Sequence, residues 1–141
     1  MMQPVLNIGV DVAKDAVVVA CAERSFPVQS VPNQRASLRA WLKSLPASSR
    51  IGLESTGAYH ELLADLAQAQ GHTVFLLNPA DTRHYAKAMG TRAKTDRVDA
   101  ELIARLIAQE HGRLRPYTPP TPTQRKLDRL IRRRATIVRL K

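Results

Sequence analysis

The chain has 141 residues, of which 44% are hydrophobic, and this is enough apolar material for one globular core. The single cysteine, Cys21, excludes an internal disulfide framework, and the longest apolar run, residues 16–22, is far shorter than the about 18 residues that a membrane helix needs. The formal net charge is +10, of which residues 121–141 contribute +7. We therefore expect a soluble, cytoplasmic protein with a polyanionic partner at its C-terminal end.

The first 80 residues predict a sheet covered by helices. Runs rich in valine and isoleucine predict strands at residues 4–10 and 15–22, joined by a turn at 11–14, with a third strand near 26–31. Asn33 is placed to cap the helix that follows. Residues 50–54, 57–70 and 72–78 then predict a strand, an amphipathic helix and another strand, and this alternation implies parallel pairing. The order of elements predicts an α/β fold, a ribonuclease-H-like mixed five-stranded sheet with flanking helices, followed by a basic C-terminal helix.

The last 27 residues contain a proline-rich connector and a basic helix. Thr121, Pro122 and Gln124 have the pattern of a helix N-cap, a first-turn proline and a capping-box glutamine. The apolar positions beyond them recur at helical spacing, interrupted by Arg134, and this favours coiled-coil pairing. We divide the chain into an α/β domain at 1–114, a linker at 115–122 and a basic helical or coiled-coil segment at 123–141. Because the chain stops at Lys141 with no C-cap, we expect this segment to be truncated.

Four acidic residues stand where chemistry is usually placed. Asp11 and Glu54 come at the carboxyl ends of predicted strands, the edge at which ligands bind in open α/β sheets. Asp96 and Asp99 are three residues apart and therefore share one face of a predicted helix. Two negative charges about 5 Å apart repel by roughly 3 kcal/mol at an effective dielectric near 20, so a converging cluster needs cations. Carboxylate oxygens suit Mg²⁺ or Mn²⁺, and two such ions can hold both reacting oxygens of a phosphodiester.

Each acid also has an ordinary structural explanation. Asp96 and Asp99 are favoured in the first turn of a helix, and Asp11 can cap a turn. Basic residues are candidate contacts to nucleic-acid phosphate, although those beside the acids can equally be solvated ion-pair partners. The candidates near the acids are Lys14, Arg92, Lys94 and Arg97. Those in the tail are Arg125, Lys126, Arg129, Arg132, Arg133, Arg134 and Arg139.

Four blocks of sequence carry a family resemblance: IGVDVAKD (8–15), LESTGAYHELL (53–63), NPADTRHYAKAMG (78–90) and KTDRVDAELIARLI (94–107). In order and spacing they resemble the N-terminal domain of DEDD-type insertion-sequence transposases, a group that includes bridge-RNA-guided recombinases and the pilin-gene invertase Piv. The resemblance implies that residues 1–114 are a RuvC-like domain in which Asp11, Glu54, Asp96 and Asp99 form a catalytic tetrad. This tetrad is expected to bind Mg²⁺ or Mn²⁺, as two ions, for DNA cleavage and strand exchange.

The resemblance also implies partners that the chain would work with. These are DNA, a guide RNA and further copies of the chain, joined as a dimer or tetramer through the C-terminal helix. Family members continue into a second domain with a serine nucleophile, so no residue of this chain takes that role. Two alternatives stay open at this point: a free-standing Holliday-junction resolvase of the same fold, and a non-catalytic module for nucleic-acid binding and dimerisation.

Overall fold

The computed structural model describes residues 5–55, 57–90 and 96–139, without the side chains of 96–99 and 132–139. Five strands and five α-helices follow one another along this part of the chain. They are β1 (Asn7–Val12), β2 (Ala16–Cys21), β3 (Gln29–Pro32), α1 (Arg35–Lys43), β4 (Arg50–Glu54), α2 (Glu61–Ala69), β5 (Thr73–Leu77), α3 (Pro79–Ala88), α4 (Asp96–Glu110) and α5 (Pro122–Arg139). A 3₁₀ turn at His111–Arg113 follows α4.

The strands form one mixed sheet in the order β3-β2-β1-β4-β5. The pairs β1–β2 and β2–β3 are antiparallel, whereas β1–β4 and β4–β5 are parallel. Parallel strands need a crossover connection, and the helices between the later strands supply it. The predicted five-stranded mixed sheet with flanking helices is confirmed.

The first hairpin extends further than its sequence suggests. Strand β1 runs to Val12, because Asp11 and Val12 find ladder partners in Val18 and Val17 of β2. Asp11 therefore lies inside a strand, and the predicted turn at 11–14 is wrong in its first two residues. Strand β3 begins at Gln29 rather than near Phe26, whose side chain packs against the core instead.

Apolar side chains cover both faces of the sheet. On one face, residues of β1, β2 and β4 such as Val10, Val19 and Leu53 form a buried cluster with α1 and α2. On the other face, Phe75 and Leu77 of β5 pack against the α4 residues Ile103, Leu106 and Ile107. Alternation along β1 and β4 divides their side chains between the two faces, so these central strands are covered on both sides, whereas Val31 is the one buried residue of β3.

Asparagine precedes both α3 and α1, but it caps only α3. The side chain of Asn78 accepts a hydrogen bond from the backbone N–H of Ala80 at 2.9 Å, which caps α3. Asn33 does not cap α1, as its Nδ2 donates to the carbonyl oxygens of Ala13 and Tyr59 at 2.8 and 3.2 Å. The predicted cap is therefore wrong, because loop carbonyls compete for this side chain.

Helix α5 begins with the predicted capping box. The backbone N–H of Gln124 donates to Thr121 Oγ1 at 3.1 Å, and the N–H of Thr121 donates to Gln124 Oε1 at 2.9 Å. Beyond this first turn, Leu127, Leu130 and Ile131 are more than half exposed. Within the described residues, no helix combines the length and apolar character needed to cross a bilayer.

Candidate carboxylate site

Asp11 and Glu54 lie at the carboxyl ends of neighbouring parallel strands. The register of β1 and β4 pairs Gly9 with Gly52 and Val10 with Leu53, so one further step sets Asp11 beside Glu54. Adjacent strands are about 4.8 Å apart, and residues two apart point to the same face. Both acids therefore share the face of the sheet that Gly9 and Gly52 occupy. Both residues are half-buried.

That face is the one on which α4 packs. A Cβ added to Gly9 would lie 2.1 Å from the carbonyl oxygen of Ala100 and 2.3 Å from the backbone nitrogen of Ala104. A Cβ added to Gly52 would lie 2.4 Å from Cγ1 of Ile107 and 3.2 Å from Cγ2 of Ile103. The two glycines thus permit a close approach of the helix to β1 and β4.

The first turn of α4 contains the other two predicted acids. Helix α4 begins at Asp96, so position 96 is one turn before Ala100 and position 99 is one turn before Ile103. The side chains of Asp96 and Asp99 lie outside the described residues, as do those of all residues from 91 to 99. Their part in the site stays a prediction, and the backbone evidence is that their helix covers the face that bears Asp11 and Glu54.

Two carboxylates alone do not make a metal centre. Among the side chains that the structure describes, no group of three or more histidine, cysteine, aspartate or glutamate residues could hold a metal ion. A described pair of hard oxygen donors at adjacent strand ends fits Mg²⁺ or Mn²⁺ in chemistry, because these ions are often bound by one or two carboxylates and retained waters. The prediction adds Asp96 and Asp99 from the start of α4, and their side chains lie outside the described residues.

The predicted basic contacts fall into three groups. Lys14 is exposed in the turn after β1, and Lys126 and Arg129 are exposed on α5. Arg125 instead forms an ion pair with Asp65 at 2.7 Å. The remaining candidates lie outside the described residues or have undescribed side chains: Arg92, Lys94, Arg97, Arg132, Arg133, Arg134 and Arg139.

Two residues that join α5 to the domain, Asp65 and Tyr117, were not predicted from the sequence. Burial raises the pKa of Asp65, but hydrogen bonds from Arg125 and Tyr117 outweigh it and hold this pKa below its ordinary value. Burial and the hydrogen bond to Asp65 raise the pKa of Tyr117 to about 12, so its hydroxyl stays protonated and donates. The one local sequence feature that could have indicated this attachment is Tyr117 itself, an aromatic residue within an otherwise polar, proline-rich connector.

The mixed sheet, with α4 across the face that bears two strand-end acids, defines the chain as a RuvC-like, ribonuclease-H-like domain. Two solved structures share this fold. They are T. thermophilus RuvC in complex with Holliday junction substrate (TM-score 0.53, 13% identity, 81% of this chain and 100% of that chain) and Thermus thermophilus RuvC (TM-score 0.54, 12% identity, 79% and 99%). At such low identity the likeness concerns the fold alone.

Relatives in sequence point to a narrower group. The chain is similar to the pilin gene-inverting proteins of Moraxella lacunata (42% identity over 82 residues) and Moraxella bovis (40% over 82 residues). Each alignment covers 58% of this chain and 25% of the relative, so the chain spans about a quarter of the length of these curated relatives. The model of the DEDD, IS110-type transposase family matches residues 8–141, and the chain belongs to this transposase family.

Proposed function

We propose that this chain is the N-terminal catalytic domain of a DNA transposase or site-specific recombinase. The observation that carries the proposal is the placement of Asp11 and Glu54 at adjacent strand ends beneath α4, whose first turn contains Asp96 and Asp99. Membership of a transposase family and similarity to gene-inverting proteins support DNA cleavage and strand exchange as the reaction. In this proposal the four carboxylates act together in DNA transposition.

The four acids would hold Mg²⁺ or Mn²⁺, as two ions. Bound there, the metal would supply Lewis-acid stabilisation of charge on a phosphodiester and a means of orienting the strand. The chain's own part is to place the carboxylates on rigid elements, since β1, β4 and α4 pack closely around the two glycines. Asp11 and Glu54 are half-buried at the carboxyl ends of their strands, and partial burial lowers the local dielectric, which strengthens the attraction of a carboxylate for a cation.

The proposed partners are nucleic acids and further copies of the chain. Lys14 and the basic residues before and within α4 lie next to the acids in sequence, where they could hold the DNA backbone. Helix α5 exposes Lys126 and Arg129 for DNA or a guide RNA, and its exposed Leu127, Leu130 and Ile131 for coiled-coil oligomerisation. We propose domain limits of 1–114, 115–122 and 123–141, with a serine-bearing domain supplied beyond them.

Metal titration tests the site directly. Calorimetric titration of Mn²⁺ or Mg²⁺ into the wild-type chain should give binding, and Asp11→Asn should abolish most of it, because an amide oxygen carries no charge to offset the ion. Asp15→Asn is the matched control, since Asp15 is an exposed acid in the turn just after β1. Equal binding by wild type and Asp11→Asn would overturn the metal site and favour a non-catalytic binding module.

A cleavage assay separates this proposal from a free-standing resolvase. The chain alone, with Mg²⁺ or Mn²⁺, should leave branched and linear DNA uncut, because the proposed nucleophile lies in another domain. Efficient cutting of a four-way junction by the isolated chain, lost in Asp11→Asn, would instead assign it as a Holliday-junction resolvase. Both assays use the same protein and metal, so their outcomes can be compared directly.

A further inference from the structure

Asp65 connects three separate segments of the chain. It lies in α2 and is half-buried, with its side chain 32% exposed. Its Oδ1 accepts a hydrogen bond from Tyr117 Oη at 2.7 Å, and its two oxygens accept from the guanidinium of Arg125, from Nη1 at 2.7 Å and Nη2 at 3.3 Å. One carboxylate thus holds the connector and the first turn of α5 against the body of the domain.

The connector has a second attachment at Tyr117. The backbone N–H of Tyr117 donates to the carbonyl oxygen of Val74 in the edge strand β5 at 2.6 Å. The Tyr117 ring packs against the core cluster. Backbone, ring and hydroxyl therefore all fix this residue, which stands between prolines that already restrict the backbone.

This ion pair differs from an ordinary surface pair. Its geometry is bidentate, the Arg125 side chain is only 21% exposed, and the same carboxylate accepts a third hydrogen bond from a tyrosine. Exposed pairs lose most of their energy to solvent and side-chain entropy, whereas bidentate pairs within a network keep more of it and add directional specificity. By contrast, Arg113 and Glu110 form a single contact at 3.3 Å in which the arginine is 84% exposed.

We propose that Asp65 is a positioning residue that fixes the direction in which α5 leaves the RuvC-like domain. Without this contact, only the proline-rich segment between Tyr117 and α5 would restrain the orientation of the helix. With this contact, the arginines along α5 and the carboxylates at the carboxyl ends of β1 and β4 belong to one rigid unit. The benefit to DNA cleavage rests on the proposed function, but the rigidity itself does not and can be measured without metal or DNA.

Pulsed electron spin resonance can measure this rigidity. A spin label on exposed Ala36→Cys of α1 and another on exposed Asp128→Cys of α5, in a Cys21→Ser background, report the distance between body and helix. Dilution with unlabelled chain removes signals between copies. The parent protein should give one narrow distance, and Asp65→Asn should widen the distribution by about two-fold or more, because the charged bidentate contact to Arg125 is lost and only the proline-rich segment after Tyr117 then restrains α5.

Three further variants make the result decisive. Arg125→Gln should widen the distribution as Asp65→Asn does, and the exchanged pair Asp65→Arg with Arg125→Asp should restore a narrow peak. Glu110→Gln is the control, because it removes an ion pair elsewhere and should change nothing. A narrow, unshifted distance in both Asp65→Asn and Arg125→Gln, with far-ultraviolet circular dichroism unchanged, would overturn the proposal. Retained metal binding with a widened distribution would support the positioning role and leave the metal site intact.

Discussion

Replacing Gly9 with alanine tests whether α4 packs as closely on β1 as the carboxylate site requires. The added methyl would lie 2.1 and 2.3 Å from backbone atoms of Ala100 and Ala104, whereas ordinary contacts begin at 3.4 Å. Backbone atoms cannot rotate away, so α4 must withdraw by roughly an ångström. Overpacking a core costs about 1–3 kcal/mol, and we expect Gly9→Ala to lose about 3 kcal/mol or more of the free energy of unfolding.

Two other glycines provide a graded comparison. A methyl at Gly52 would meet the side-chain atoms Cγ1 and Cδ1 of Ile107 rather than backbone, and a small displacement of one side chain disturbs the helix less, so a smaller loss of about 1–2 kcal/mol is expected. A methyl at Gly112 would meet nothing within 4 Å, and Gly112→Ala should stay within about 0.5 kcal/mol of wild type. The predicted order of stability is therefore Gly112→Ala, Gly52→Ala and then Gly9→Ala.

Urea unfolding can measure all three variants. Trp41 is the only tryptophan in the chain and is buried, so its fluorescence follows loss of the core. Because α4 also contains Asp96 and Asp99, Gly9→Ala should weaken Mn²⁺ binding even where the protein remains folded. If Gly9→Ala unfolds at the same urea concentration as Gly112→Ala, the close approach of α4 to β1 is wrong, and so is the site derived from it.

Two further predictions concern charge. Above the ordinary aspartate pKa of about 3.9, Asp65 should stabilise the fold, and this contribution should disappear as the pH falls through its lowered pKa. Because Asp65 is 32% exposed, the effect should stay below about 1 kcal/mol, and an equal loss of urea resistance between pH 7 and pH 3 in wild type and Asp65→Asn would contradict it. Ending the chain at residue 120 removes +7 of the net charge, so fluorescence anisotropy should show weaker DNA and RNA binding with a shallower salt dependence. Removing two exposed cations of α1, Arg39 and Lys43, should change that slope far less, and a truncated chain that binds as well as the full one would move the interface to the body.

Local signals were read correctly from the sequence where few alternatives compete with them. The capping box at Thr121 and Gln124 depends on residues three apart, and the structure contains both of its hydrogen bonds. Asn33 had a similar local signal, yet its side chain binds carbonyl oxygens 20 and 26 residues away. A polar side chain next to a helix can satisfy either partner, and only the tertiary fold decides between them.

The functional residues also fall into two groups, those that the sequence pattern could locate and those that it could not. Asp11 and Glu54 could be assigned to the carboxyl ends of neighbouring strands, because the alternation of strands and helices predicts where each strand ends and that the strands are parallel. The network at Asp65 could not, since its partners Tyr117 and Arg125 are 52 and 60 residues away and follow no periodic pattern. Sequence pattern therefore finds residues that regular structure brings together, and misses those that meet through loops.

The close packing of α4 and the placement of the acids depend on one strand register. Gly9 and Gly52 are paired, and each precedes an acid of the site by two residues. Shifting either strand by one residue would place bulky Val10 or Leu53 under α4 and turn its acid to the opposite face. In the proposed tetrad, each close pair of carboxylates would repel by roughly 3 kcal/mol and would oppose the packing of α4 in the absence of metal. Burial of Ile103 and Ile107, at about 1.5–3 kcal/mol each, would offset about one or two such pairs, so the chain should gain stability when metal binds.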